Sequence, residues 1–218
     1  MVRPAKSGSR EEAVYEALKR DILEHRYKAG EPLSEKSLAE VLGVSRTPVR
    51  EALAKLHENG LITKVPRRGA FVNILSVKDI RDVFEVRMAL EAMAAKLVAE
   101  VPSPGFITKL EQLERQLKRL QVRDDQGAAQ ASLKIGAKLH TLIIEESGNE
   151  TLAGILHSLQ NLIEIARQPI PSHQLRKNIN ADLLKLIAAI KGQDATLAER
   201  LMRLHLELVM DAILKGGA

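Results

Sequence analysis

Arg46, Thr47 and Arg50 fall on one side of a helical register within the run Val44-Ser45-Arg46-Thr47-Pro48-Val49-Arg50-Glu51-Ala52-Leu53. A guanidinium group so placed can grip guanine O6 and N7 through paired hydrogen bonds, or hold a phosphate. Val49, Ala52, Leu53 and Leu56 recur at helical spacing on the opposite side, where they can be buried. The run therefore reads as the tight turn and recognition helix of a helix-turn-helix. Arginines on an arbitrary helix usually do no more than solvate it, so the flanking elements must decide.

Those elements agree. Residues 1–9 read as a flexible arm. Val14, Leu18 and Ile22, with Ala17 beside them, make one apolar stripe and predict a first helix from Glu11 to about Arg26. Ala29-Gly30-Glu31-Pro32 breaks it, and Ser34 can cap a short second helix that Gly43 ends. Ser45 is placed to cap the third helix, within whose first turn Pro48 is tolerated. That helix ends near Asn59-Gly60. Two extended runs follow, 61–65 and 70–73, with Pro66-Arg67-Arg68-Gly69 between them as a hairpin turn. Such a hairpin is a wing, and arginines at its tip suit the negative potential of a minor groove.

Helix, helix, recognition helix and wing in this order resemble the GntR family of bacterial transcription regulators. The pattern stands as Leu33-Ser34-Glu35-Lys36-Ser37-Leu38-Ala39, then the run from Val44 to Leu53, then Leu56, Gly60-Leu61 and Arg68-Gly69. By that resemblance Lys36, Arg46, Thr47, Arg50, Arg68 and Gly69 sit where such proteins contact operator DNA, Lys36 as a phosphate contact. Ser45 at the helix cap and Arg67 at the wing tip complete the candidate DNA-binding set. A winged-helix domain over residues 10–75 is expected.

From Ser76 to the end the pattern is helical, with breakers at 101–105, 123–127, 147–149, 169–171 and 192–194. Six helices with short connections predict an antiparallel bundle over 76–218. The fold class expected is mainly α: a winged helix-turn-helix of three helices plus a two-stranded wing, then the bundle. Arg87 is in line with Ile80, Phe84, Glu91, Ala94 and Val98, which turns its charge inward. An inward guanidinium needs a partner, either Glu91 one turn on or a bound carboxylate. His140 and His205 also lie on apolar stripes.

The second half resembles the FCD effector domain of the FadR branch of that family. Val83-Phe84-Glu85-Val86-Arg87 with Glu91, Leu139-His140, Ser147-Gly148-Asn149, Asp194-Ala195 and His205-Leu206 carry the likeness. The resemblance implies a small organic acid or acyl compound in the bundle, often with a metal ion, and makes Arg87, His140 and His205 the candidate effector-binding residues. Metal-holding members present an Asp four residues before the first His and a further His on the fifth bundle helix. Here those positions are Gly136 and Leu183. Two imidazoles fall short of the roughly three protein ligands that zinc takes. No cofactor and no metal site are expected, although a weak site completed by water or ligand stays open.

Composition narrows the classes. Cysteine is absent, aromatics are 2% and the formal charge is +5. Residues 1–75 hold 14 Lys+Arg against 10 Asp+Glu, so most of the basic excess lies in the first third. The lack of cysteine excludes disulfides and thiolate metal sites and fits the cytoplasm. No apolar run approaches the roughly 18 residues of a membrane span. The reading is a DNA-binding regulator, a repressor by analogy, that binds palindromic double-stranded operator DNA as a homodimer and answers to a small effector. An architectural DNA-binding protein with a silent pocket is the alternative. A metal-dependent enzyme is disfavoured, with no catalytic residue nominated: there is no His-Glu-x-x-His pair, no Gly-x-Ser-x-Gly elbow, and Glu145 and Glu146 face different sides.

Overall fold

The computed structural model describes residues 7–123, 125–166 and 172–216. They form two units, residues 7–76 with 160–166, and residues 77–159 with those from 172 on.

The first unit begins with α1 (Ser7–Leu23). Val14, Leu18 and Ile22 are buried along its inner stripe, joined by Tyr15. The helix starts four residues ahead of the expected Glu11, because polar Ser7, Ser9 and Arg10 extend a helix without showing any apolar period. It also ends earlier than Arg26, since His25 turns left-handed at φ 56°. Of the arm expected over 1–9, residues 1–6 lie outside the described residues and 7–9 are helical.

Two further helices follow, α2 (Glu35–Leu42) and α3 (Arg46–Glu58). Ser34 caps α2 by accepting from the Ser37 amide, and Gly43 closes it in the left-handed region at φ 65°. Val49, Ala52, Leu53 and Leu56 of α3 are all at most 2% exposed and form the middle of the unit's core. Burying a Val or Leu side chain stabilises by about 1.5–3 kcal/mol, so this one face anchors α3 firmly.

The sheet has three strands, not two: β1 (Pro32–Leu33), β2 (Ile62–Val65) and β3 (Gly69–Val72), antiparallel in the order β1-β3-β2. Ile62 faces Val72 and Lys64 faces Ala70 across the hairpin, while Pro32 faces Phe71. The extra strand falls inside the segment read as a breaker. Two residues are too few to show alternation, and Pro32 is tolerated because it stands at a sheet edge.

Six helices follow among the described residues, α4 (Val77–Glu100), α5 (Pro104–Leu120), α6 (Gln126–Glu146), α7 (Glu150–Ala166), α8 (His173–Lys191) and α9 (Ala195–Gly216), and they make the second unit an antiparallel bundle, except that the end of α7, residues 160–166, belongs to the first unit. Phe84, Phe106, Leu110, Leu117, Leu139, Ile143 and Leu183 lie in the bundle's core. Two starts precede the expected ones. Ser103 accepts from the Phe106 amide at 3.1 Å, which lets α5 begin at Pro104 instead of Ile107. Asp125 accepts from the Ala128 amide at 2.9 Å and starts α6 at Gln126 instead of Ala129. Both caps sit in segments whose composition reads as turn, which is where N-caps belong.

Candidate nucleic-acid interface and bundle cavity

The winged helix exposes what the spacing of α3 predicts. Arg46, Thr47 and Arg50 are exposed on the face opposite the buried Val49-Ala52-Leu53-Leu56 set, and Lys36 is exposed in the first turn of α2. Ser45 holds the N-cap position with extended backbone, but its side chain makes no capping hydrogen bond. The reason is local. A capping oxygen takes the amide of the second or third helical residue, and the third here is Pro48, which has none. The Ser45 hydroxyl is exposed at the helix N-terminus, beside amides that also favour an anion.

Arg50 is not a free arm. Its Nε donates to both Glu35 oxygens at 3.3 and 3.2 Å, and its Nη2 donates to Oε2 at 3.1 Å. The hydrogen bond and the charge of Glu35 raise the arginine pKa further. This contact ties the first turn of α2 to α3 and sets the direction of the guanidinium. Fifteen residues of sequence separate the pair, so no helical spacing could have announced it.

A groove enclosing about 1260 Å³ of open space runs beside α3 and the wing, lined by Arg50, Lys64, Arg67, Arg68, Gly69 and Glu35 among others. Four cations against one carboxylate make it an anion-attracting channel. Lys64 was not singled out from the sequence; it shares a strand face with the buried Ile62, so alternation alone would turn it inward, yet it is exposed next to the wing turn. At that turn the Arg68 amide donates to the Val65 carbonyl at 3.0 Å. Arg67 then occupies the left-handed region at φ 62°, with Gly69 at φ 100°. A turn with Pro66 second and a positive φ third normally recruits Gly or Asn at that third place. Arg67 is held there despite a local cost, which sets a charged side chain at the tip. The Arg68 guanidinium lies 5.7 Å from the Phe71 ring centroid.

In the second unit, Arg87, His140 and His205 line one cavity, which encloses about 670 Å³ of empty space with its open mouth included. Arg87 is buried, and the partner left open by the sequence is Glu91: Nε donates to Oε1 at 2.7 Å. The guanidinium also stacks over Phe84, 4.7 Å from the ring centroid. Glu91 Oε2 meets His140 Nδ1 at 2.5 Å. Although burial pushes the Glu91 carboxyl up, Arg87 and His140 beside it win and hold it far below the ordinary carboxylate range. An ionised Glu91 requires a proton on His140 Nδ1. His140 Nε2 in turn meets His205 Nε2 at 3.2 Å, so one ring donates and the other accepts. The result is a buried chain, Arg87–Glu91–His140–His205.

A metal ion does not fit this set. The two Nε2 atoms converge, but Gly136 and Leu183, which line the same cavity, offer no donor. Glu91 spends its oxygens on Arg87 and His140. Among the described residues no group of three or more His, Cys, Asp or Glu is arranged to hold a metal. The cavity also carries Arg176, Asn180 and Ser132, none of them singled out from the sequence. Asn180 looks like an ordinary polar position on an amphipathic helix until the packing buries it to 2% exposure. No described helix is long and apolar enough to cross a membrane.

Comparison with known proteins agrees with this geometry. Residues 10–72 match the profile of bacterial regulatory proteins, gntR family, and residues 82–208 match the FCD domain. The uncharacterized HTH-type transcriptional regulator YdhC of Bacillus subtilis is 31% identical over 154 residues, 70% of this chain and 67% of that protein. The HTH-type transcriptional repressor RspR of Escherichia coli is 28% identical over 208 residues, 92% of this chain and 87% of that one. Among solved structures, Escherichia coli McbR/YncC superposes with a TM-score of 0.74 at 22% identity, over 96% of this chain and 99% of its own. A GntR regulator from Rhodococcus sp. RHA1 does so at 0.76 and 22%, over 95% and 98%. At such identities the superpositions speak for the fold alone. With a winged helix that exposes a cationic face, an FCD bundle later in the sequence and relatives that regulate transcription, the chain belongs to the GntR family of bacterial regulatory proteins and is a regulator, not an enzyme.

Proposed function

We propose that this protein is a cytoplasmic transcription repressor that binds palindromic operator DNA as a homodimer and is released or retained by a small organic acid or acyl compound in the FCD cavity. The observation that carries the DNA reading is the exposed Arg46-Thr47-Arg50 face on a buried-backed helix, flanked by the arginine-tipped wing. In this reading Arg46, Thr47 and Arg50 enter the major groove. Lys36 and Ser45 hold phosphates, and Arg67, Arg68 and Gly69 bring the wing to the minor groove. Repression is supported by the name of the relative RspR. Dimerisation is supported by apolar side chains left in water: Val86 and Met93 on α4, Leu197 and Leu204 on α9. One winged helix covers one half-site, so a pair supplies both affinity and operator spacing. The effector acts by favouring one spacing of the two winged helices over another.

Fluorescence anisotropy with a palindromic promoter fragment tests the reading. Arg46→Ala and Arg50→Ala should each weaken binding by about tenfold or more. The logarithm of affinity should fall with the logarithm of salt concentration by several units, about 0.9 per phosphate contacted. Affinity indifferent to both arginines, or to salt, would refute it. A panel of organic acids that never alters operator affinity would leave only the architectural alternative.

A further inference from the structure

Glu35 stands where a DNA-binding groove has no ordinary use for it. The groove beside α3 and the wing carries Arg50, Lys64, Arg67 and Arg68, and Glu35 is the carboxylate among them. A negative charge facing phosphates costs affinity for any duplex, whatever its sequence. An acid in the first turn of α2 suits the helix dipole. That accounts for the residue type, but not for a side chain that reaches across to α3. Nor does the pair offset the cost through stability. The Arg50 and Glu35 side chains are 69% and 38% exposed, and ion pairs so wet contribute little.

What the contact fixes is an edge. A guanidinium offers hydrogen bonds along a side edge, Nε with Nη2, and an end edge, Nη1 with Nη2. Glu35 takes the side edge: Oε1 and Oε2 accept from Nε at 3.3 and 3.2 Å, and Oε2 accepts from Nη2 at 3.1 Å. The end edge is turned away from the carboxylate, with paired donors at the spacing of guanine O6 and N7. Both residues stand on firm supports. Val49 and Leu53, flanking Arg50 on α3, are at most 2% exposed. Glu35 follows Ser34, which caps α2, and Leu33, which pairs with Ala70 of β3. A loose arginine would fold down onto the nearest phosphate; held by its side edge, it keeps the end edge for a base.

We propose that Glu35 is a positioning residue that makes Arg50 a guanine reader instead of a phosphate contact. It gives up affinity for DNA in general and gains discrimination at one base pair of each half-site. This rests on the reading of the winged helix as an operator binder, and concerns only how one arginine is aimed.

The test uses the full chain and a pool of duplexes of random sequence, with the bound duplexes sequenced over successive rounds. The native chain should enrich a palindrome in which one guanine per half-site is lost in Arg50→Ala. Glu35→Ala should lose the same preference, about 5- to 150-fold at that base pair, and keep the rest of the motif. Its affinity for an unselected random duplex should rise about two- to fivefold at low salt, since one negative charge has gone. In the enriched duplex, 7-deazaguanine at that position lacks the N7 acceptor; it should weaken the native chain and leave Glu35→Ala unaffected. A merely structural role would instead lower Tm and weaken every duplex alike. Glu35→Gln serves should the alanine variant fail to fold. It keeps one acceptor oxygen at the same reach, so part of the preference should survive while non-specific affinity still rises. The inference is overturned if Glu35→Ala enriches the native motif unchanged, if it weakens all duplexes in proportion, or if Arg50→Ala loses no base preference. A native chain that enriches no motif sinks the operator reading as well, whereas a native motif shared by Glu35→Ala sinks only the role of Glu35.

Discussion

Arg67 shows how much one residue's backbone can say. At φ 62° it bears a conformation that L side chains adopt at a cost of about 1–2 kcal/mol, in a turn that glycine would fill without strain. Arg67→Gly relieves that strain but makes the unfolded chain more flexible, so the net gain should be up to about 1 kcal/mol. The variant should melt at a slightly higher temperature and bind the promoter fragment more weakly, as read by thermal melts beside anisotropy. A variant that binds DNA unchanged would make Arg67 an accident of the turn. Ser45 carries a related lesson. Its hydroxyl is spared from capping because Pro48 removes the amide that would have used it.

At the scale of elements, the buried chain Arg87–Glu91–His140–His205 links α4, α6 and α9. Removing one member of a buried ion pair leaves the other charge unmatched, so Glu91→Gln should destabilise the fold by about 3–5 kcal/mol. The sign with pH follows from the depressed Glu91 pKa. The carboxylate stabilises the folded state fully above its unfolded pKa of about 4.3 and loses that contribution as pH falls below it. Denaturant titrations between neutral pH and about pH 3 should show the native chain losing stability in that acid window and Glu91→Gln losing less. Equal acid sensitivity of the two would place the charge of Glu91 elsewhere than in this network. Helix boundaries belong to the same scale. Ser103 and Asp125 start α5 and α6 earlier than apolar periodicity indicates, because capping is a matter of single side-chain oxygens.

For the molecule as a whole, the question is what covers the outer faces of α4 and α9. Val86 and Met93 are 41% and 43% exposed, and Leu197 and Leu204 are 40% and 46% exposed. Each pair is spaced seven residues apart, two turns on one helix face. Met93→Lys combined with Leu204→Glu should give a folded monomer by light scattering. That monomer should hold a two-half-site fragment about a hundredfold more weakly or worse, since linked binding is worth at least that much. A dimer that survives both charges would move the interface to another face.

The sequence by itself determined the local features: which stretches coil, which α3 residues face inward, where the wing turns, and that positions 136 and 183 bring no metal ligand. These follow from period, cap chemistry and residue type within a few neighbours, and they sufficed to place Arg46, Thr47 and Arg50 outward and Arg87 inward. Tertiary structure decided what depends on atoms distant in sequence. Glu35 meets Arg50 across fifteen residues, and Glu91 meets His140 across forty-nine. Pro32–Leu33 becomes a strand only because β3 arrives beside it. Asn180 becomes a buried polar group only when packing beside Ser132 withdraws it from water. Periodicity records which face of an element is apolar; it carries no information on which buried polar atom ends up without a partner.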